Sequence, residues 1–311
     1  MENVMLTIFT ATYNRSKYLS TLYNSLAKQS NYNFEWLVID DGSIDDTEKY
    51  IKEIQNFEKR FDIRFYSQEH GGKHRAMNKA FDLARGKYFF PVDSDDYLTE
   101  NAVELVLKWI EGIRKNDKIV GVSGLRAFSL NNIIGEISGF KDDYIDASVF
   151  EKDKYFLGGD KAEVWLTQKL RDHKFPEYPG EYFATEAICW EAISADGGLV
   201  RWYKIPIYIC NYLPNGLTNT GANSLEGHRA NYLGYCYYIR QGIRLRKGYS
   251  KYRMLWEYFK VNRKIRKKIS EAAKMIDYSI AEYIWGLVKY RIYKTVYFYP
   301  YHLVKTARIG K

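Results

Sequence analysis

Cysteine is scarce: three residues in 311, Cys189, Cys210 and Cys236, lie far apart, form no C-x-x-C pair and are odd in number. A disulfide framework is excluded, and a reducing, cytoplasmic setting is the expectation. No apolar window reaches the roughly 18 residues that a spanning helix needs. Met1-Glu2-Asn3-Val4 runs straight into a strand-like segment without a basic or apolar leader, so no signal peptide is expected. The histidines (His70, His74, His173, His228, His302) show no metal-ligand spacing, which excludes a zinc site. No G-x-G-x-x-G follows the first strand and no G-x-x-x-x-G-K-[ST] occurs, which argues against a dinucleotide oxidoreductase and a P-loop nucleotidase.

What is present describes a soluble globular chain, with 46% apolar and 27% charged residues. Aromatics are abundant at 17%, and 29 of the residues are Tyr. The net charge of +9 is uneven: residues 240–311 hold 19 Lys and Arg against 4 acids, leaving 28 against 34 in the rest. The basic character belongs to the C-terminal tail.

Hydrophobic periodicity predicts strands at 6–10, 36–39, 64–66 and 88–92, each followed by a helix. Ser16 caps a helix with Leu19, Leu22, Tyr23 and Leu26 on one face. Asp45 or Asp46 starts the next, with Ile51, Ile54 and Phe57 inward; a third follows Gly71-Gly72 with Met77, Ala80 and Phe81. The fourth begins at Thr99 and carries Ala102, Leu105, Val106, Trp109 and Ile113. Four strand–helix alternations mean an α/β fold with a mostly parallel sheet and helices on both faces. Three parts are expected: a first half at 1–115, a second half of the same domain at 116–230, and a helical extension at 231–311.

Such sheets bind ligands beyond the carboxyl ends of their strands. Polar clusters sit there: Thr12-Tyr13-Asn14-Arg15, Asp40-Asp41, and Asp93-Ser94-Asp95-Asp96. Strand alternation would put Asp93 and Asp95 on one side, where two like charges call for a cation between them. Oxygen-only ligands select Mg²⁺ or Mn²⁺, which favours phosphate. Each cluster also has a plainer reading: Asp93 to Asp96 as helix caps, Asp40 and Asp41 as turn formers before Gly42, and Tyr13 as a ring packed on the core. Lys73 after Gly71-Gly72 reads either as a phosphate or ribose contact or as a solvated lysine.

Taken together, Thr-Ala-Thr-Tyr-Asn-Arg (10–15), Val-Ile-Asp-Asp-Gly-Ser-Ile-Asp-Asp-Thr (38–47), Gly-Gly-Lys-His-Arg-Ala-Met-Asn (71–78) and Val-Asp-Ser-Asp-Asp (92–96) resemble the signature set of family-2 glycosyltransferases. The resemblance is dense over residues 5–110 and looser over 155–220. It implies the GT-A fold and inverting transfer of a sugar from a UDP-sugar, with Mn²⁺ or Mg²⁺, to a hydroxyl of a glycan or lipid-linked acceptor in surface polysaccharide synthesis.

The same resemblance assigns roles. Tyr13 would stack on a base; Asp41 would accept the imide hydrogen of uracil, with Thr12 and Asn14 beside it. Lys73 and His74 would contact phosphate or ribose. Asp95 is the expected metal ligand, Asp93 a ribose or metal contact with Ser94 between them, and Asp96 a cap for the next helix. An inverting transfer needs a base, and Glu186, in Thr185-Glu186, matches the family's Glu-Asp position although Ala187 replaces the second acid. Glu181, Asp160 and Glu163 are rivals. Gly158-Gly159-Asp160-Lys161-Ala162-Glu163-Val164-Trp165 and Asn215-Gly216-Leu217-Thr218 are expected to shape acceptor and sugar pockets, with Trp165 as a stacking platform.

The tail mixes cationic and aromatic residues at helical spacing. That pattern suits an anionic membrane surface, a bundle packed on the body, or oligomerisation. A peripheral position on the inner face of the plasma membrane is the expectation. Two other classes fit the sequence less well. A nucleotidyltransferase needs a Gly-rich basic loop after strand one, where this chain has Thr-Tyr-Asn-Arg. A nucleic-acid binder using the basic tail is opposed by the acidic body.

Overall fold

The computed structural model describes residues 5–211 and 224–298. The chain divides into two compact units, one running to Phe175 and resuming at Cys189, the other made of Pro176–Ile188 and the C-terminal helices.

The first unit opens with β1 (Leu6–Thr12), α1 (Ser16–Ala27), β2 (Phe34–Asp40), α2 (Thr47–Phe57), β3 (Asp62–Ser67), α3 (Lys73–Leu83), β4 (Tyr88–Pro91), β5 (Tyr97–Leu98) and α4 (Ala102–Ile113). The predicted faces are buried: Leu19, Leu22, Tyr23 and Leu26 on α1, Ile51 and Ile54 on α2, Met77, Ala80 and Phe81 on α3. Phe57 departs from the expected pattern, 62% exposed at the last position of α2. The fourth helix starts at Ala102 and not at Thr99, whose carbonyl accepts a 2.8 Å hydrogen bond from Gln29 Nε2.

Strands β3, β2, β1 and β4 pair in parallel. The register aligns Thr12 with Asp40 and Asp40 with Ser67, while Phe9 pairs with Pro91. The loops that follow these four strands therefore leave the sheet along one edge. Beyond β4 the direction reverses. The remaining elements are β6 (Ile119–Ser129), β7 (Asn132–Ile133), β8 (Tyr144–Ala147), β9 (Lys161–Leu166), α5 (Thr167–Asp172), α6 (Ala187–Ala195) and β10 (Leu199–Ile209). Strand β9 inserts antiparallel between β4 and β6, and β10 runs parallel to β6. The sheet order is β3-β2-β1-β4-β9-β6-β10-β5, so the sheet is mixed where the repeating pattern pointed to a mostly parallel one. Leu6, Ile8, Trp36, Val38, Phe90, Val106, Val122 and Val164 form its dry interior.

The second unit carries α7 (Leu225–Ala230), α8 (Tyr232–Leu245), α9 (Gly248–Lys264), α10 (Ile269–Met275) and α11 (Ile280–Tyr293). Cys236, Ile239, Ile243, Leu255, Tyr258, Ala273 and Tyr283 form its own apolar core, so the tail is a packed bundle and not a set of separate helices.

Candidate active site

The acid run does not continue the strand. Beyond Pro91 the chain turns, closed by the Asp96 N–H on the Asp93 carbonyl at 3.1 Å, so strand alternation does not set where Asp93 and Asp95 point. Each carboxylate meets cations. Asp93 accepts from Lys73 Nζ at 2.5 Å and from Arg126 at 3.4 Å, and the Tyr208 hydroxyl lies 3.2 Å away. Asp95 accepts from Arg15 at 2.5 Å. Burial pushes the Asp93 carboxyl up, but Lys73 and Arg126 outweigh it and hold it well below the usual carboxylate range. Asp93 is thus an anion held ready by cations.

Asp96 behaves differently. It caps no helix: its carboxylate accepts the Asn211 backbone N–H at 2.8 Å, and burial with two like charges beside it raises its pKa to about 6. Arg126 lies over the Tyr208 ring at 4.2 Å and donates to the Lys161 carbonyl at 3.0 Å, which fixes its approach to Asp93.

Asp41 is not an open acceptor. Its carboxylate takes hydrogen bonds from Gln68 Nε2 at 2.7 Å, Gly71 N at 3.0 Å and Gly72 N at 2.8 Å, with His70 Nδ1 at 2.8 Å. A carboxylate has about four lone-pair positions, and here all face the 68–72 loop. The residue expected to read a base instead ties down the loop that leads into α3. Asp40 does the turn chemistry allowed for it, accepting from the Ser43 N–H and hydroxyl.

Tyr13 is 43% exposed and stacks on His70, with ring centroids 4.0 Å apart and planes 16° from parallel. It is not a core ring, and a planar base can lie against this pair. Asn14 takes a left-handed conformation at φ 52°, which Asn tolerates, and its side-chain carbonyl accepts the Ile44 N–H at 2.9 Å. Asn14 therefore fastens the first rim loop to the second. Among the described residues, the buried Thr12 hydroxyl has no hydrogen-bond partner, and the Asp41 backbone N–H bonds the Thr12 carbonyl at 2.8 Å. Gly72, at φ 94°, delivers Lys73 into the first turn of α3, where Lys73 faces Asp93. His74 is buried on that helix with its ring 6.4 Å from that of Phe175 and steeply inclined to it, and Ser94 is buried within the turn.

Several expected acceptor residues serve the fold. Trp165 is fully buried in β9 and stacks on Trp190 at 5.1 Å, so no sugar face can reach it. Lys161, 2% exposed, donates to the carbonyls of Gly158 and Gly159, and burial lowers its pKa to about 8. Asp160 is exposed beside it, and Glu163 lies 4.0 Å from the Lys152 ammonium. Glu181 accepts the backbone N–H groups of Leu233 and Gly234 at 2.6 and 2.8 Å, which ties up the first turn of α8 and removes it as a rival base. Glu186, half-buried, belongs to the second unit and lies just before the first residue of α6. The segment 215–218 lies outside the described residues.

Arg126 and Tyr208 were not found by sequence reasoning. The signal was a single arginine inside the long apolar run 119–127, a charge that a buried strand tolerates only opposite an acid.

Residues 5–211 hold a rim of carboxylates and cations at strand ends that can seat a diphosphate with a hard cation. Among the described residues no group of three His, Cys, Asp or Glu side chains would hold an ion unaided. The donor set nevertheless fits Mg²⁺ or Mn²⁺, which are ordinarily held by one or two carboxylates together with substrate phosphates.

Residues 7–144 match the model of "Glycosyl transferase family 2". Chondroitin synthase of Escherichia coli is 39% identical over 103 residues, which is 33% of this chain and 15% of that protein. The chain likewise covers 11% and 10% of the chondroitin and hyaluronan synthases of Pasteurella multocida, so it matches a small part of these relatives. An uncharacterized glycosyltransferase of Haemophilus influenzae is 25% identical over 97% of this chain and 93% of its own length. Among solved structures, Staphylococcus aureus TarS with UDP-GlcNAc aligns at a TM-score of 0.60 and 20% identity, covering 83% of this chain and 72% of that one. Mannosyltransferase PcManGT of Pyrobaculum calidifontis, with GDP-Man and Mn²⁺, aligns at 0.54 and 13% identity over 98% and 80%. Residues 7–144 thus match the family-2 glycosyltransferases, and the chain carries the GT-A fold of the solved transferases.

Proposed function

We propose that the protein is a metal-dependent, inverting glycosyltransferase. It moves a sugar from a UDP-sugar to a hydroxyl of a glycan or lipid-linked acceptor in surface polysaccharide synthesis, at the inner face of the plasma membrane. The observation that carries this reading is the pairing of Asp93 and Asp95 with Lys73, Arg126 and Arg15 at the carboxyl edge of the sheet. Bound at Asp95 and Asp93, Mg²⁺ or Mn²⁺ would supply charge neutralisation for the departing diphosphate. Arg15 and Lys73, which pair these acids in the structure, would turn to phosphate oxygens when a cation takes the acids, a charge-assisted contact that suits both side chains. Tyr13, backed by His70, offers its exposed face to the base, worth roughly 1–3 kcal/mol in stacking. The loop held by Asp41 keeps that ring pair in place.

The attacking hydroxyl must lose its proton to a base, and Glu186 holds that role by its match to the family's position. UDP as the nucleotide is supported by the likeness to TarS, whose structures hold UDP-GlcNAc or UDP. The test is a panel of UDP- and GDP-sugars assayed for hydrolysis and thermal stabilisation with Mn²⁺, Mg²⁺ or EDTA. UDP-sugars are expected to stabilise the protein only with metal. Stabilisation that is equal in EDTA would remove the metal from the reading.

A further inference from the structure

Helix α11 turns two chemically different faces outward and inward. Inward, Tyr283, Gly286 and Tyr290 are buried against the bundle. A Cβ at Gly286 would stand 2.3 Å from Leu255 Cδ2, so α11 and α9 are in close contact there. Outward, Ile280, Ile284, Trp285, Val288 and Ile292 on α11, and Val296 just beyond its end, are each between 39% and 55% exposed. At about 100° per residue, the five on α11 fall on one stripe along the helix. A run of six large apolar side chains in solvent is more than scattered exposure explains.

The charges beside the stripe indicate its partner. Arg291 and Lys294 follow one edge and Lys289 the other, the Lys289 ammonium standing 5.7 Å from the Trp285 ring. Glu282 is the one acid on the helix, and its carboxylate is engaged by the Ser279 N–H at 2.8 Å and hydroxyl at 2.7 Å. A second copy of the same stripe would bring arginine and lysine edges against each other, which is unfavourable. No helix among the described residues is long and apolar enough to cross a membrane. An apolar stripe edged by cations, with a Trp in it, matches a helix lying in the plane of a lipid–water interface.

We propose that this face of α11 docks on an anionic lipid surface. Ile284, Trp285, Val288 and Ile292 enter the acyl boundary, while Lys289, Arg291 and Lys294 extend their stems along the apolar edge to reach headgroup phosphates. This deepens the membrane-surface part of the proposed function, and it is read without any donor or acceptor present.

The test is co-sedimentation of the full chain with vesicles of phosphatidylcholine, alone or mixed with phosphatidylglycerol. The protein is expected to partition onto the mixed vesicles and to leave them as salt rises. Replacing Lys289, Arg291 and Lys294 with Gln should weaken binding on the order of a hundredfold, at about tenfold or less per cation. Changing Trp285, Val288 and Ile292 to Ser should weaken it by at least tenfold; Trp285→Ser alone serves if the triple variant loses its helical signal. Donor hydrolysis by all these variants should match the parent, so a failed vesicle test and a failed transferase reading give different results. The proposal is overturned if the parent ignores anionic vesicles, if the serine variants bind as the parent does, or if they abolish self-association in light scattering while vesicle binding persists.

Discussion

Replacing Asp41 by Asn separates two roles for one carboxylate. If Asp41 simply reads a base, the change should spare the unliganded protein and weaken nucleotide binding. The structure gives it another task. The two oxygens collect four donors from the 68–72 loop, and the Gly71 and Gly72 N–H groups among them are buried. Asparagine keeps one acceptor oxygen, enough for Gln68 and Gly71. Its amide nitrogen then faces the Gly72 N–H donor-to-donor, and a buried donor left without a partner costs about 1–3 kcal/mol. Loss of the negative charge weakens the remaining bonds, since charge-assisted bonds are roughly twice as strong as neutral ones. The expected cost is about 2–4 kcal/mol, or about 3–6 °C in Tm for a chain of this size. Calorimetry without nucleotide measures it directly. An unliganded Tm within about 1 °C of the parent, together with lost UDP binding, would refute the loop-tethering argument and restore Asp41 as a plain base reader.

Three other substitutions test the remaining parts. Asp95→Ala should leave the fold intact, because Arg15 is still partly in water, but should remove Mn²⁺-dependent stabilisation by UDP and cut turnover by about a hundredfold or more; unchanged metal dependence in thermal shift would argue against the ligand role. Glu186→Gln should bind UDP as the parent does and lose about 10²–10⁴ in turnover, and a smaller loss in a rate assay passes the base role to Glu163 or Asp160. Glu58 tests acid stability: hydrogen bonding to Arg60 lowers its pKa from 4.5 to about 2. A depressed carboxylate contributes stability that is fully present above the unfolded value and lost as pH falls toward 2. Urea denaturation from pH 6 to 2 should show a loss of about 2 kcal/mol that Glu58→Gln flattens; identical pH curves for the two proteins would contradict the pairing.

The half of the fold that alternates strand and helix was legible because each element there carries its own period. Leu19, Leu22, Tyr23 and Leu26 repeat at helical spacing, and β1, β2 and β4 are short apolar runs buried on both faces. Residues 116–210 were not legible in the same way. Strands β6 and β10 are each eleven residues long and their pairing shifts register at three points, so no single period runs through them. Strand β9 begins inside what reads as a Gly-rich acceptor loop. Its antiparallel seat between β4 and β6 turned Lys161 and Trp165 from candidate ligand contacts into core residues. Composition cannot show that seat, because it depends on which strand a segment finds and not on the segment itself.

The site divides along the same physical line. The two acid-bearing strand ends, after β2 and β4, were readable as candidate chemistry because their acids cluster directly after apolar runs, although the same acids could equally serve turns and caps. Their counter-ions were readable only in part. Arg15 and Asp95 are 80 residues apart in sequence, yet β1 pairs directly with β4, so their loops must leave the sheet side by side. Anyone who places those two strands together has also placed that ion pair. Arg126 reaches Asp93 from β6, across the inserted β9, and is steadied there by the Lys161 carbonyl of the strand it crosses. That contact needs the sheet order, the reversal at β9 and the Tyr208 ring beneath the guanidinium, and none of these has a local signature. An acid whose partner lies on the neighbouring strand is a consequence of topology; one whose partner crosses an intervening strand is a consequence of packing, which only a folded chain displays.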